Sequence, residues 1–296
     1  MSDEKISSAL GIRPMSEIDE QEKNLPIEKP VEVAMPPAVI SVEDDENLKD
    51  IETVRTNIAS VIDIGKEAME EMLEIKVNDR VQHIRVVMAE LQRIASHLLG
   101  LGAFGLDIGA FTPFLHMLRD RERILDLFEM TCGARLLYNY MWIGGLSHDL
   151  PVGFVESTYK FLDYFEPKID EFVNLLVHNK IFVERTADIG VMPQDVAISY
   201  GVTGPNLRAS GLKWDLRRDD PYSIYNKFEF EVPVGEGGKG SVGDCWDRFY
   251  VRLQEIRESV KIVRQALDQL PKDGDVHQSM PKKIRPPKGS IYSRTE

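Results

Sequence analysis

Residues 80–102 read RVQHIRVVMAELQRIASHLLGLG, and in them Ile84, Met88, Leu91, Ala95, Leu98 and Gly102 recur at steps of three and four. That spacing places these six on one face of a helix and leaves Arg85, Gln92 and Arg93 on the other. Gly100, Gly102 and Gly105 are expected to end the helix. Downstream, after a turn at 107–113, a second helix is expected over 114–140, charged along 119–123, with Gly144-Gly145 breaking the chain beyond it. A third is expected over 152–179, opened by Pro151 and paced by Phe154, Tyr159, Leu162, Phe165, Ile169, Phe172 and Leu176. Residues 180–240 are punctuated by Gly201, Gly204, Pro205, Gly211, Pro221 and Pro233, with the alternation at 227–232 expected to form a short strand. A last long helix is expected over 244–270.

Upstream, Ile51, Val54, Ile58, Val61, Ile62, Ala68, Met69 and Met72 predict an amphipathic helix over 48–72. Residues 1–46 mix prolines with acids and lack a sustained apolar period, so they are expected to be disordered. The fold class that follows is mainly α: a helical bundle core with a small irregular or β attachment and a disordered N-terminal segment. Three segments are expected: 1–46, a helix of separate character at 47–75, and a core at 76–296.

Charge separates the same segments. Residues 1–79 hold twenty acids against eight bases, a net of −12, whereas the remainder of the chain is nearly neutral. Neither part has the basic excess that collects phosphate contacts, which argues against nucleic acid as a partner. No run of eighteen apolar residues occurs, so no membrane-spanning helix is expected, and the first residues do not read as a secretory signal, which points to the cytoplasm. Cys132 and Cys245 stand apart, without a Cys-x-x-Cys pair or a Cys/His cluster, so no metal site is assembled from them and buried structural thiols are expected.

No dinucleotide-binding glycine loop, Walker loop, nucleophile elbow or His-Glu-x-x-His occurs. His97 and His116 show no metal-ligand spacing and are read as packed histidines. One constellation carries chemistry. Leu99, Ala103 and Asp107 follow at steps of four, so a helix that continued through them would line a face with two apolar groups and one carboxylate. An acid at the end of an apolar, glycine-rich wall is partly desolvated and suits proton exchange. The competing reading makes Asp107 a cap for the turn that follows it.

Those residues also carry a resemblance. Ile84-Arg85-Val86, Ala89-Glu90-Leu91, the run 93–98, Leu106-Asp107-Ile108-Gly109-Ala110 and Thr112-Pro113-Phe114 are similar to the D-subunit of NADH-quinone oxidoreductase, the quinone-site subunit of respiratory complex I. Gly133-Ala134-Arg135, Tyr138-Asn139-Tyr140, Asp149-Leu150-Pro151, the run 207–211, Trp214-Asp215-Leu216-Arg217 and the run 243–248 continue it, so that it covers about 73–296. The resemblance implies an α+β fold for the complete family member. It implies that Asp107 lies in the quinone cavity, paired with a histidine, and that Leu99, Ala103 and Phe114 face that cavity. It implies that quinone is the substrate, that NAD(H) and the iron–sulfur cluster belong to partner subunits, and that this chain binds no metal. The B-, C- and H-subunits of complex I are the implied partners, at the inner face of the cell membrane. Electron transfer to quinone coupled to proton translocation is the implied activity, with the isolated chain expected to be inactive.

Departures accompany the match. The family's N-terminal β region, which supplies the quinone-facing histidine and tyrosine, has no counterpart before Leu73, and the similarity stops at Glu296 where the family continues. Trp142 stands where the family usually has arginine, and 236–242 is a longer glycine-rich loop. Residues 42–73 weakly resemble the small terminase subunit of T4-like phages, which frames the alternative of a non-enzymatic fusion or assembly protein. Because sustained apolar periodicity begins only near Leu48, limited proteolysis is expected to leave a core starting between about Leu48 and Arg80. Degradation throughout would show that the bundle does not hold by itself.

Overall fold

A computed structural model describes residues 39–42, 62–280 and 284–295. In chain order its elements are strand β1 (Val39–Val42), helices α1 (Ile62–Met72), α2 (Asp79–Asp107) and α3 (Phe111–Cys132), and strands β2 (Met141–Trp142) and β3 (Gly145–Leu146). Helix α4 (Phe154–Phe172) follows and runs into a π-helical turn (Val173–Val177). Short helices α5 (Lys180–Thr186), α6 (Gln194–Ser199), α7 (Gly204–Ala209) and α8 (Leu216–Asp219) then lead to the long α9 (Cys245–Asp268) and to strand β4 (Gly289–Tyr292). The architecture is mainly α with small β attachments, as the periodicity predicts. Of the expected helix at 48–72, only the part from Ile62 lies inside the described residues. The disorder expected over 1–46 also lies outside them, except at Val39–Val42. Those four residues instead form a strand antiparallel to β4, with Val39 opposite Tyr292 and Val42 opposite Gly289. Valine and isoleucine suit an extended pleat, and a short run too small to show a period can still pair once a partner edge is present.

α2 is the axis of the molecule. Asn78 caps its start by accepting from the Val81 N–H at 3.0 Å. Helix α2 packs on α3 and α9, and Ile84, Leu91 and Leu98 of the predicted stripe are fully buried, as is Ile94 beside it. Two expectations for this helix need correction. Arg85, placed on the polar face, is buried: it forks onto Glu70 of α1 at 2.8 and 2.7 Å and donates to the carbonyls of Trp142 and Gly145. Glu70 also accepts from the Gly144 N–H at 2.7 Å, so one ion pair joins α1, α2 and the β2–β3 turn. The helix also does not stop at Gly100–Gly105 but runs to Asp107. A helical glycine costs only about 1 kcal/mol relative to alanine, and here the absent side chain is used for packing. A Cβ at Gly102 would sit 3.1 Å from the Phe114 ring of α3.

The stop comes at Gly109, whose φ of +93° suits glycine. Its N–H donates to Leu106 O at 2.9 Å, and the Ala110 N–H reaches back to Gly105 O at 2.8 Å, the Schellman pattern. α3 ends at Gly133 rather than near Tyr140. The expected strand at 227–232 is absent as a ladder, although its alternation is real: Phe228, Phe230 and Val232 are buried while Glu229 and Glu231 are exposed. α9 side chains take the place of a partner strand. The Glu229 N–H donates to Gln265 Oε1 at 2.8 Å and the Glu231 N–H to Glu258 Oε2 at 2.9 Å. The two cysteines are half-buried, not fully buried, with Cys132 Sγ donating to Phe128 O.

Neighbouring leucines on α2 test this packing. Leu98 has no exposed surface and Leu99 is 43% exposed, so Leu98→Ala is expected to cost about 2–5 kcal/mol in urea unfolding. Leu99→Ala should stay within about 0.5 kcal/mol. Equal losses would mean that α2 is rotated from the orientation described.

Candidate functional site

Of the four residues singled out by sequence, Leu99, Ala103 and Asp107 lie on the last turns of α2 and Phe114 lies on the first turn of α3, on either side of the elbow between the helices. Because α2 is continuous to Asp107, Leu99, Ala103 and Asp107 do line one face of a single helix. Leu99 and Asp107 are exposed and Ala103 is half-buried. Phe114, half-buried on α3, lies against Gly102, between the levels of Leu99 and Ala103. Leu106, Phe111 and Leu115, all exposed, extend the apolar character around the elbow. The arrangement is an open apolar wall with one carboxylate at its end. Among the described residues that carboxylate accepts no backbone hydrogen bond, and the turn is closed by the backbone bonds at Gly109. The capping role considered for Asp107 is thus performed by Gly109.

A cavity of about 520 Å³ lies beside the middle of α2, lined there by Gln92, Ser96 and His97 and across from it by Tyr138 and Tyr222. None of Leu99, Ala103, Asp107 and Phe114 lines it. The predicted wall continues the same helical stripe about a turn further on and stands open.

Sequence reasoning missed the chain of buried charges beside this cavity. Glu90 of α2 has no exposed surface. It accepts from Arg217 Nη1 at 3.2 and 3.3 Å, from Tyr225 Oη at 2.7 Å and from Ser259 Oγ at 2.6 Å. Arg217 forks onto Asp215 at 3.0 and 2.7 Å, and Asp215 stands 3.7 Å from Arg208. Arg208 donates to Glu255 at 2.7 Å, and the other oxygen of Glu255 meets His97 Nε2 at 2.7 Å. A carboxylate only accepts, so Nε2 carries the proton of the neutral imidazole. His97 is therefore a partnered histidine, within the packed class its sequence suggests. His116 lies 3.5 Å from Glu171 on α4. The signal available in sequence was phase: Glu90 stands three residues after Val87 and four before Ile94, an acid on a buried face. Among the described residues no group of three His, Cys, Asp or Glu side chains could hold a metal ion.

Burial alone would push the Glu90 carboxyl up, yet Arg93, Arg217 and the Ser259 and Tyr225 hydroxyls bring it from 4.5 down to about 2. Glu255 behaves alike: burial opposes its charge, while His97 and Arg208 lower it to about 2. Burial pushes His97 down, against the pull of Glu255, which favours the neutral ring. With folded values depressed, the stability carried by the two carboxylates is fully present above about pH 4.5 and is lost as pH falls toward 2. Acid unfolding followed by circular dichroism is expected within that window. Arg217→Ala strands Glu90 and Asp215 without their shared guanidinium and should cost about 3–5 kcal/mol. A loss under about 1 kcal/mol would mean that water reaches these carboxylates.

Comparison with known proteins bears on what this frame is. A family model described as respiratory-chain NADH dehydrogenase, 49 kDa subunit, matches residues 107–296. The NADH-quinone oxidoreductase D-subunit of Chlorobaculum tepidum is 53% identical over 230 residues, covering 77% of this chain and 58% of the relative. The D-subunit of Pelodictyon phaeoclathratiforme is 53% identical over 231 residues, with the same two coverages. A D-subunit of Cytophaga hutchinsonii is 53% identical over 236 residues, covering 77% of this chain and 60% of the relative. The chain thus spans about three fifths of the length of these relatives. With a family model matching well over half of its residues and identity above one half through the aligned core, the chain belongs to the family of the 49 kDa subunit of respiratory-chain NADH dehydrogenase, the D-subunit of NADH-quinone oxidoreductase.

Proposed function

We propose that the α2–α3 elbow forms one wall of the quinone cavity of an NADH-quinone oxidoreductase, with Asp107 as its ionisable group and Leu99, Ala103 and Phe114 as its apolar surface. The observation that carries this reading is the open stripe on α2: two apolar side chains and a carboxylate in register along one face, exposed at both ends. A flat, largely apolar ring with polar oxygens at its rim fits such a wall, since the leucine, alanine and phenylalanine exclude water while the carboxylate meets the oxygen end. Within this reading a partner subunit closes the other side. The iron–sulfur cluster and the NAD(H) site belong to partners, because this sequence has no Cys-x-x-Cys pair and no dinucleotide loop. The B-, C- and H-subunits are the proposed neighbours, with the complex lying against the inner face of the cell membrane and coupling the reaction to proton translocation. Among the described residues no helix is long and apolar enough to cross a membrane, so membrane contact is assigned to partners.

Asp107 has a defined task in this scheme: it holds or releases a proton at the oxygen end of the bound ring, in concert with a histidine supplied from outside the described core. General acid–base groups of this kind contribute about 10²–10⁴-fold. In a complete D-subunit carrying this segment, Asp107→Asn is expected to leave folding unchanged and to lower quinone reduction by about 10²-fold. Asp107→Leu should also fold, because Gly109 rather than the carboxylate closes the helix. Quinone reduction at the unmodified rate in the Asn variant would remove Asp107 from the mechanism. The 296-residue chain alone should oxidise no NADH, and NADH-dependent quinone reduction by it would overturn the division of roles among subunits.

A further inference from the structure

We propose that Arg185 is the positioning residue that sets the Asp107 turn, an inference that rests on the reading of Asp107 given above. Three observations converge on it. The Arg185 guanidinium donates through Nη1 to the carbonyl of Ile108, the residue after Asp107 and the cap of α2. A Cβ built on Gly109 would lie 3.2 Å from the same nitrogen, so the arginine packs directly on the left-handed glycine that turns the chain. The base from which Arg185 reaches is itself tied to α2. One turn earlier on α5, Phe182 is buried among aromatic rings, 6.2 Å from Phe104 of α2 and 4.7 Å from Phe249 of α9, measured between centroids. Thr186, fully buried, closes the last turn of α5 by donating to Phe182 O at 2.7 Å.

The physical consequence follows from the helix end. The last carbonyls of a helix have no partner inside it and carry its negative pole. A guanidinium on the Ile108 carbonyl satisfies one of them and places a fixed positive charge beside the carboxylate-bearing turn. From the other side, Leu176 of the π-helical turn approaches the Gly105 position, 3.7 Å from where a Cβ would stand. The elbow is therefore held between α5 and the end of α4. Its backbone bonds can form without Arg185, but its orientation relative to α5 and α9 has the arginine as its polar tie. Arg185 touches no reacting atom in this scheme and acts only through where it holds Asp107.

The test is a double-mutant cycle in a complete complex I whose D-subunit carries this segment. Arg185→Ala is expected to lower kcat for quinone reduction by about tenfold or more while the KM for quinone changes less, since misplacement of a reacting group by about 1 Å is enough for a loss of that order. Arg185→Lys, which keeps the charge and one donor, should recover part of the loss. In the Asp107→Asn background, Arg185→Ala should add nothing. An arginine serving assembly alone would show the same further loss in both backgrounds, and that result overturns the proposal. If Asp107→Asn is itself silent, the reading of Asp107 fails; if it is damaging while Arg185→Ala is silent, only the role of Arg185 fails. Amide hydrogen exchange on the 296-residue chain supplies a readout independent of activity. Arg185→Ala should accelerate exchange at Gly109 and Ala110 relative to the rest of α2, and unchanged protection there would count against the tie.

Discussion

Glu90 is a carboxylate with no exposed surface in the middle of the longest helix, and a charge in that position is tolerated only when donors surround it. Arg93 donates from one turn along the same helix, and the other donors come from far along the chain: Arg217 on α8, Tyr225 just after it, and Ser259 on α9. Supplying them obliges the irregular stretch between α7 and α9 to lie against α2. That stretch has little regular structure of its own, so its position follows from satisfying buried charge as well as from burying Phe228, Phe230 and Val232. The alternation continues outward as Arg217, Asp215, Arg208, Glu255 and His97, so each buried charge faces one of the opposite sign or, at His97, a ring that donates to it. A chain of this kind places its members more narrowly than an apolar core does, because removing any one takes a partner from each of its neighbours in a buried setting.

α2 carries this frame at its centre and different tasks at its two ends. Near its start, Arg85 binds Glu70 and the carbonyls of the β2–β3 turn, which attaches α1. At its end, glycines allow α3 to approach and the chain to reverse, which leaves Asp107 exposed beside exposed apolar side chains. A buried middle with an exposed apolar end is unusual for a surface that faces only water. Under the function proposed above, this end is the wall that a partner subunit closes.

Much of the fold was legible in periodicity. The spacing of Ile84, Leu91 and Leu98 identified the buried face of α2, and the phenylalanines of α4 did the same, because a 3.6-residue repeat survives without knowledge of any partner. Helix ends were harder. Gly100, Gly102 and Gly105 resemble stop signals locally, and only the position of Phe114 across the gap shows that Gly102 is a packing site. The strand expected at 227–232 failed for the same reason. Its alternation records which side chains are buried and contains nothing about whether Gln265 and Glu258 or another strand receives the backbone.

Residue types and their spacing alone determined the helical class, the α2 stripe, the step of four from Leu99 through Ala103 to Asp107, and the likeness to the D-subunit family of NADH-quinone oxidoreductase. Those properties are local or are read along the chain in order, so they need no coordinates. Tertiary structure decided that Arg85 and Glu90 are buried, that Gly109 rather than Asp107 closes the helix, and that Arg185 reaches the Asp107 turn. Each of these depends on which distant segment arrives beside the residue, and the energy of a buried charge or of a helix-end carbonyl is set by that neighbour.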